Sequence, residues 1–509
     1  MSEIAIPATR FPEALHDAAG VRELDRRAIA SGIAGETLMI RAGEAAFQQL
    51  LKRWPDCQQP AMLCGGGNNG GDGYVVARLA LRAGLHPQVY ATVAPAALTG
   101  DAHRLAEQAL AEGVPVTQIS DTLDLTGHDL LVDALLGTGL SGPLRAPAAA
   151  LIRAVNDSAL PVLALDIPSG LNADNGAVST AAVMADLTVT FVGMKRGLLT
   201  GAGPAHCGEL HFDGLGIPST LLDSMPASCR RATLASLRAA LPPRARDAHK
   251  GSSGHVLVLG GDHGYAGAVM LAAEAAARSG AGLVSVGTRA GHLAPLLSRR
   301  PEVMARALDD EQDLTPLLQR ATVLVVGPGL GSAPWGRWLL REALASGLPM
   351  VLDADALNLI AAQSLCWSAP AIMTPHPGEA GRLLGSSAAA VQADRFQALA
   401  QLVERYPATV LLKGAGTLVA AAGDQPVRLI AAGNPGMASG GMGDVLSGII
   451  GALLAQGLAP LDAATAGALV HALAADRAVR HQGERGLLAA DLFAHLRRLI
   501  NGIEGAVDE

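Results

Sequence analysis

Residues 434–448 read Asn434-Pro435-Gly436-Met437-Ala438-Ser439-Gly440-Gly441-Met442-Gly443-Asp444-Val445-Leu446-Ser447-Gly448, and an apolar run over 445–454 continues from them. Small side chains followed by an apolar run predict a backbone-rich loop that opens into a buried helix. The first turn of a helix presents unpaired N–H groups and the positive end of the helix dipole. Because glycines let a phosphate approach these groups closely, the pattern predicts an anion-binding loop.

Asp444 is unexpected in such a loop, since its carboxylate repels an anion. The position makes sense for a base that takes a proton from a hydroxyl while the loop holds a phosphoryl group. The alternative is that Asp444 only caps the helix. The remaining motifs of the chain favour the base.

The composition restricts the class of protein. A chain of 509 residues suggests two or more domains, and 3% aromatic residues against 50% hydrophobic ones indicate a core of Ala, Val and Leu. The net charge of −8 argues against a general nucleic-acid binder but allows local sites for small anions. Scattered cysteines, no signal-peptide pattern and no apolar run long enough to cross a membrane predict a cytoplasmic protein. We also expect a homo-oligomer.

Two blocks of alternating strand and helix signals predict an α/β protein with parallel sheets and helices on both faces. The first block covers residues 1–225 and the second 251–509. The stretch 226–250 is arginine- and proline-rich and is interpreted as a linker with one short helix at 234–241, capped by Thr233. The alternative is a surface helix within one larger domain.

The predicted strands of the first block lie at 61–64, 88–93, 130–136, 161–165 and 187–192, with helices at 14–31, 36–54 and 74–83. In the second block strands are predicted at 255–259, 283–287, 322–326, 350–352, 371–373 and 410–412. The predicted helices there cover 266–279, 445–454, 463–479 and 489–499.

A polar glycine-rich segment, Cys64-Gly65-Gly66-Gly67-Asn68-Asn69-Gly70-Gly71-Asp72-Gly73, lies between the first strand and its helix. Doubly wound sheets bind ligands at such strand ends. The glycines offer backbone donors to a phosphate, whereas Asn68, Asn69 and Asp72 suit ribose hydroxyls or a hard cation. A tight turn explains the glycines but not the three polar side chains.

Later strands of the first block also end in polar groups. Asp133 lies near one strand end, Asp166 and Ser169 follow the next, and Lys195 follows a fourth strand. A single strand-end aspartate often only caps the next helix, but several ends in one sheet predict a shared pocket. Lys195 either faces that pocket or points to solvent.

Together with Leu38-Met39-Ile40-Arg41-Ala42-Gly43, these motifs resemble the NAD(P)H-hydrate epimerase family over most of residues 10–220. The resemblance implies a Rossmann-like domain and a potassium ion held by Asn69, Asp133 and Ser169. The implied substrate contacts are Asn68, Asn69, Gly70, Gly71, Asp72, Gly137, Thr138, Gly139, Leu140, Ser141, Gly142, Pro143 and Asp166. Because epimerisation at a hydrated ring carbon needs proton transfer, Asp166 is the first candidate acid/base and Lys195 the second.

Four strand ends of the second block carry glycine-rich or polar motifs besides the Asp444 loop. They are Val326-Gly327-Pro328-Gly329-Leu330-Gly331, Leu352-Asp353-Ala354-Asp355, Met373-Thr374-Pro375-His376-Pro377-Gly378-Glu379 and Leu412-Lys413-Gly414-Ala415-Gly416-Thr417. Prolines on both sides hold His376 rigidly, which favours a ligand contact over a mobile surface histidine. Lys413 suits a nucleotide phosphate, the alternative being a solvated lysine.

This block resembles the ADP-dependent NAD(P)H-hydrate dehydratase family, within the ribokinase-like fold, over about residues 240–500. The resemblance implies substrate contacts at Ala268, Gly329, His376 and Asp444, and adenine-nucleotide contacts at Lys413, Gly414, Ala415, Gly416, Thr417 and Gly443. ADP is then a co-substrate, accompanied by Mg²⁺. Met442 stands where the family usually has threonine, which removes a hydroxyl donor, so we expect retained activity and a changed nucleotide affinity.

The sequence therefore predicts a fused repair enzyme for NADHX and NADPHX, with an N-terminal epimerase and a C-terminal dehydratase. Two alternatives remain open. The second block could be a kinase for a small alcohol such as a vitamin precursor, because ribokinase-like domains share the base and the anion-binding loop. The first block could be a nucleotide-binding module without catalytic activity.

Overall fold

The computed structural model describes residues 11–119, 123–139, 142–363 and 365–503. The chain divides into two compact units, Met1–Arg230 and Arg231–Glu509. This boundary lies inside the range 226–250 that the sequence assigns to a linker. The helix predicted there is confirmed, since Leu234–Ala240 is helical and the Thr233 side chain accepts a hydrogen bond from Ser236 N.

Unit 1 contains a seven-stranded parallel sheet in the order β4-β3-β2-β5-β6-β7-β8. Its strands are β1 Ala14–Leu15, β2 Pro60–Cys64, β3 Gln88–Ala91, β4 Val116–Gln118, β5 Leu130–Ala134, β6 Val162–Leu165, β7 Leu187–Phe191, β8 Glu209–Asp213 and β9 Cys229–Arg231, of which β1 and β9 pair with each other antiparallel and lie outside the seven-stranded sheet. Its helices are α1 Ala18–Ala30, α2 Gly35–Arg53, α3 Asn68–Arg82, α4 Gly100–Ala111, α5 Ala146–Asp157, α6 Gly203–His206 and α7 Ser219–Asp223.

Both faces of this sheet are covered, which gives three layers. Successive residues of a strand point to opposite faces. Met62 and Val132 belong to the core shared with α2 and α3, whereas Leu63 and Leu131 pack with Ile152 of α5. The predicted Rossmann-like arrangement is confirmed.

Unit 2 has a mixed sheet in the order β18-β17-β16-β15-β14-β13-β10-β11-β12, parallel from β16 to β12 and antiparallel at β17 and β18. The strands are β10 His255–Leu259, β11 Leu283–Thr288, β12 Met304–Ala307, β13 Val323–Val326, β14 Met350–Leu352, β15 Ala371–Met373, β16 Thr409–Leu412, β17 Thr417–Ala420 and β18 Val427–Ile430. The helices are α8 Leu234–Ala240, α9 Ala266–Arg278, α10 Leu293–Arg299, α11 Glu311–Leu318, α12 Pro334–Ala345, α13 Ala354–Gln363, α14 Pro377–Leu384, α15 Ala388–Ala393, α16 Arg395–Arg405, α17 Met442–Ala455, α18 Pro460–Val479 and α19 Phe493–Ile500.

One large core in unit 2 joins the sheet to α9, α17 and α18. Val256 and Val258 of β10 face this core together with Ile449 and Ile450 of α17. Helix α12 packs against β13. Because β13 to β16 run parallel, their carboxyl ends lie at one edge of the sheet, and this edge carries the predicted motifs.

The prediction of a loop at residues 68–73 is wrong, because α3 already begins at Asn68. Glycine disfavours a helix in isolation, but tertiary packing overrides that preference here. A Cβ on Gly71 would lie 2.4 Å from the Met39 sulfur, and one on Gly73 would lie 2.7 Å from the Cys64 sulfur. The glycines let the first turns of α3 pack closely against the sheet and α2.

Two predicted helices also begin differently. The helix predicted at 14–31 starts only at Ala18, after the short strand β1. The helix predicted from residue 445 starts at Met442, with Gly441 as its N-cap in the left-handed conformation at φ +88°. A residue with a side chain would be strained at that φ. Asp444 is thus the third residue of α17, and the alternative in which it is the N-cap is wrong.

Candidate functional sites

A cavity of about 720 Å³ opens in unit 1 where β2, β5, β6 and β7 end. Among the predicted site residues, those that line it are Asn68, Asn69, Asp72, Gly137, Thr138, Gly139, Pro143, Asp166 and Lys195. Leu140 and Ser141 lie outside the described residues. Gly70 and Gly71 instead face backbone and helix packing partners. The sheet edge therefore brings the motifs of four strand ends to one opening.

Beneath this cavity, Asp133 and Ser169 are fully buried and bonded to each other. Ser169 Oγ donates to Asp133 Oδ1 at 2.6 Å, and Ser169 N donates to Asp133 Oδ2 at 2.8 Å. Asn69 Nδ2 donates to Leu136 O at 3.1 Å, which leaves the buried Asn69 Oδ1 without a hydrogen-bond partner. Ser169 Oγ also reaches Leu136 O at 3.2 Å, so the unpartnered Asn69 Oδ1 and the buried Asp133–Ser169 pair meet at one carbonyl and offer oxygen ligands that fit a monovalent cation.

Asp166 and Lys195 form an ion pair at the cavity wall. Lys195 is fully buried, and its Nζ donates to Asp166, to Thr190 Oγ1 at 3.0 Å and to Phe191 O at 2.9 Å. The alternative in which Lys195 points to solvent is wrong. Asp166 has a positive φ of 65°, a strained conformation that is common at functional sites. The pair holds a carboxylate at a fixed place on the cavity surface.

Asp25, which was not predicted as a site residue, lines the same cavity from α1. Burial raises the pKa of Asp25 to about 6, while nearby Lys195 opposes the rise and Asp166 adds to it. Burial and the carboxylates of Asp166 and Asp25 also raise the pKa of Asp72 well above its usual range. One sequence signal could have indicated Asp25. It lies four residues after Val21 and four before Ile29, so a carboxyl group stands on an otherwise apolar row of one helix face.

In unit 2, the first turn of α17 lies beside the ends of β14 and β16. A Cβ on Gly443 would lie 3.4 Å from both Asp353 Oδ2 and Lys413 Nζ. Asp444 is half-buried next to them, and burial together with the Asp353 carboxylate raises its pKa to about 7, against the opposing charge of Lys413. The geometry places a carboxyl group that titrates near neutral pH at a helix N-terminus.

Lys413 is anchored by two carboxylates. Its Nζ lies 2.8 Å from Asp353 Oδ1 and 3.8 Å from Glu379 Oε2. Ser447 Oγ donates to the other Asp353 oxygen at 2.7 Å, so the carboxylate joins Lys413 to α17. Burial favours the neutral amine, but Asp353 and Glu379 raise the pKa of Lys413 above its usual value. Asp353, which belongs to a predicted strand-end motif but had no predicted role, therefore positions Lys413.

The loop after β16 is fixed from behind by Arg395, which is fully buried. The guanidinium donates to Lys413 O at 3.2 Å, Leu412 O at 3.3 Å and Gly416 O at 3.4 Å. Thr417 Oγ1 donates to Gly414 O at 3.1 Å. With its carbonyls engaged in this way, the segment from Lys413 to Thr417 has a defined shape.

Two further predicted contacts lie together. A Cβ on Gly329 would lie 3.3 Å from the Cβ of Ala268 and 2.5 Å from the Cβ of Tyr265. His376 caps α14, accepting from Gly378 N at 3.0 Å through its Nδ1, and its side chain remains 49% exposed. His376 N donates to Glu379 Oε2 at 2.8 Å. Glu379 is therefore a partner both of His376, the residue that caps α14, and of Lys413.

Comparisons with known proteins agree with the division into two units. A family model described as NAD(P)H-hydrate dehydratase matches residues 256–498, and one described as YjeF-related protein N-terminus matches residues 35–197. A bifunctional NAD(P)H-hydrate repair enzyme of Coxiella burnetii is 52% identical over 484 residues, which cover 94% of this chain and 98% of the relative. The chain belongs to the bifunctional NAD(P)H-hydrate repair enzymes.

The E. coli K12 member of this family is 48% identical over 464 residues, covering 91% of this chain and 89% of the relative. A solved ribokinase-like superfamily protein of Enterococcus faecalis V583 is 28% identical, with a TM-score of 0.51, and covers 55% of this chain and 98% of that protein. The ribokinase-like prediction for unit 2 is thereby confirmed. Among the described helices, none has the length and apolarity needed to cross a membrane.

The family's repair chemistry makes the ionisation of Asp444 measurable. With Asp444 as the candidate base, the dehydratase rate should fall about tenfold for each pH unit below about 7, because a protonated carboxyl group cannot accept a proton. The measurement is kcat/KM for the NADHX-to-NADH conversion between pH 5.5 and 8.5. Asp355→Asn should shift the profile to lower pH, since the Asp355 carboxylate helps to raise the pKa of Asp444. An unshifted profile would show that a group other than Asp444 titrates.

Proposed function

We propose that unit 2 converts (S)-NADHX and (S)-NADPHX to NADH and NADPH at the expense of ADP, and that unit 1 interconverts their R and S epimers. The observation that supports the dehydratase best is Asp444 at the amino end of α17, beside the Lys413–Asp353 pair. A base and an anion-binding helix end in one place suit the transfer of a phosphoryl group to a hydroxyl.

The dehydration proceeds in two balanced steps. Asp444 removes the proton of the ring hydroxyl, and the oxygen attacks the terminal phosphorus of ADP, which releases AMP. The amides of residues 441–444 and the Lys413 ammonium stabilise the charge on the transferred group. The ring nitrogen then donates its lone pair as the C–O bond breaks, phosphate leaves, and loss of a ring proton regenerates the dihydronicotinamide.

We assign nucleotide binding to Lys413, Gly414, Ala415, Gly416, Thr417 and Gly443, and substrate binding to Ala268, Gly329 and His376. The fixed loop behind Arg395 supports the nucleotide assignment. The described residues contain no cluster of three or more His, Cys, Asp or Glu that could hold a metal. We propose that Mg²⁺ binds with the ADP phosphates, whose charge it neutralises.

Met442 bears on the nucleotide affinity. Its side chain is 5% exposed and belongs to the core shared by α9, α17 and α18. The methionine therefore contributes to packing, and the backbone N–H groups of residues 441–444 are left to bind the phosphate. Retained activity with a changed ADP affinity stays our prediction.

The epimerase reaction proposed for unit 1 is supported by the Asp166–Lys195 pair in the 720 Å³ cavity. The pairing holds the Asp166 carboxyl group at a fixed place in the cavity, where it can exchange a proton with the substrate. The two proposed activities are complementary. A dehydratase that accepts one epimer leaves the other unrepaired, and epimerisation converts that other epimer into the accepted one.

We further propose that Asn69, Asp133 and Ser169 hold K⁺, which supplies a fixed positive charge near the substrate. Replacing K⁺ by tetramethylammonium at equal ionic strength should lower the temperature of epimerase inactivation by roughly 2–4 °C, since an ion bound only to the folded state stabilises it. Dehydratase inactivation in the same sample is the control. The difference should vanish in Asn69→Leu, and its persistence there would argue against this site.

One incubation separates the proposal from its main alternative. The purified chain with ADP and (S)-NADHX should restore absorbance at the reduced-nicotinamide band, with AMP and phosphate formed in equal amounts. A vitamin-precursor kinase would give no such recovery and would phosphorylate the alcohol instead. Self-association and a cytoplasmic location remain predictions, and light scattering of the pure protein tests the first.

A further inference from the structure

The epimerase reaction proposed above needs two proton-transfer groups, and the cavity offers a second one. The hydroxyl leaves from one face of the ring carbon and water adds to the other face. A group that protonates the departing hydroxyl therefore cannot also deprotonate the incoming water without moving around the ring. Asp166 comes from the sheet edge, and its position is fixed by the buried Lys195.

Helix α1 supplies another part of the cavity lining. Val21, Asp25 and Ile29 line it from one face of the helix, and Asp25 is the carboxyl group among them. The start of α1 is tied to the Lys195 segment, because His16 N donates to Met194 O and Arg196 N donates to His16 O, both at 2.9 Å. The same backbone pairing therefore fixes Asp25 and Lys195 relative to each other.

Asp25 also differs from the other acidic residues of its helix. Asp17 caps the first turn by accepting from Gly20 N at 2.7 Å, and Glu23 is paired with Arg26 at 2.7 Å and Arg27 at 2.8 Å on the surface. Asp25 faces the cavity instead, where its charge interacts with those of Lys195, Asp166 and Asp72. Helix capping and surface pairing do not account for a carboxyl group in that position.

We propose that Asp25 is the second proton-transfer residue of the epimerase, acting on the opposite face of the substrate ring from Asp166. In one direction, protonated Asp25 gives its proton to the ring hydroxyl. The C–O bond breaks, water departs with the bonding electrons, and the ring nitrogen lone pair forms a C=N bond. Water then adds to the other face of the carbon and gives a proton to the Asp166 carboxylate. In the reverse direction the two residues exchange roles, and the proton returns from Asp166 to Asp25.

A single proton shared by two carboxyl groups predicts a bell-shaped pH dependence of the epimerase kcat. The raised pKa of Asp25, about 6, sets the limb on the alkaline side, since the acid is lost above it. The other ionisable groups that line the cavity are Arg22, Asp72, Asp101, Arg145, Asp166 and Lys195.

The test uses the full chain and pure (R)-NADHX, with the epimers separated by chromatography. Asp25→Asn should lower the epimerase kcat by about 100-fold or more, leave KM nearly unchanged and remove the limb above pH 6. Asp25→Glu should recover part of the rate. Glu23→Gln, a change of the surface carboxylate on the same helix, should leave rate and profile as in the wild type. Dehydration of (S)-NADHX by the same samples checks their concentration.

Four results would contradict the proposal or the reaction on which it rests. If Asp25→Asn epimerised at the wild-type rate and its pH profile kept the alkaline limb, the role of Asp25 would be overturned. Loss of activity in both Asp25→Asn and Asp25→Glu with an altered thermal midpoint would show a structural role, which also overturns it. If the wild-type chain did not epimerise NADHX, the epimerase function proposed for unit 1 would be rejected instead. In H₂¹⁸O each conversion should introduce one ¹⁸O, and retention of the original oxygen contradicts the C–O cleavage.

Discussion

Asp444→Asn is expected to lower the dehydratase kcat/KM by about 10³-fold while epimerisation by the same chain continues at the wild-type rate. The asparagine keeps the size of the side chain but cannot accept the proton of the ring hydroxyl. Stability should not fall, because the wild-type carboxylate sits near Asp353 and its pKa is raised to about 7 by burial and that neighbour. The readout is NADH formation from (S)-NADHX and ADP.

A matched control comes from the next helix. Asp462 is the third residue of α18, as Asp444 is the third residue of α17, and it is exposed. Asp462→Asn should leave the rate unchanged, which separates base catalysis from a general effect of charge at a helix start. If Asp444→Asn retained more than a tenth of the activity, another group would have to accept the proton and the proposed mechanism would fail.

The interior strands of both units could be predicted from the sequence, because their residues form continuous apolar runs. Strands such as His255–Leu259 and Met350–Leu352 are buried along their whole length. The edge strands β4 and β12 were missed, since half or more of their residues are exposed and the apolar signal is weak. The antiparallel pair β17 and β18 was missed for a similar reason, with two half-buried residues in each strand.

The candidate sites were predictable only where the residues follow strand ends. The strand-end rule leads to Asp166 and Lys413, because the sheet edge is common to all strands. The partners that position Lys413 are set by tertiary folding, since Asp353 lies 60 residues upstream and Arg395 reaches the loop from behind. Asp25 was overlooked because it lies on a helix that precedes the sheet, and only the completed fold brings that helix to the cavity.

Asp166→Asn should reduce epimerisation of NADHX by about 10²-fold or more, with dehydration of the S epimer unaffected. The variant removes the proton acceptor and also removes the carboxylate that pairs with the Lys195 ammonium, whose remaining hydrogen bonds among the described residues go to Thr190 Oγ1 and Phe191 O. A buried cation without its counter-ion is destabilising, so the temperature at which epimerase activity is lost should fall as well.

The two effects are separable in a double variant. Asp166→Asn combined with Lys195→Met removes the unpaired charge, so the thermal midpoint should recover toward the wild-type value while epimerisation stays lost. Asp213→Asn is the control, because Asp213 also ends a strand but only accepts a hydrogen bond from Leu215 N at 2.8 Å. Recovery of epimerisation in the double variant would show that Asp166 serves only to neutralise Lys195. The proton acceptor would then have to be sought among Asp25 and Asp72, the other carboxyl groups whose charges interact with Lys195.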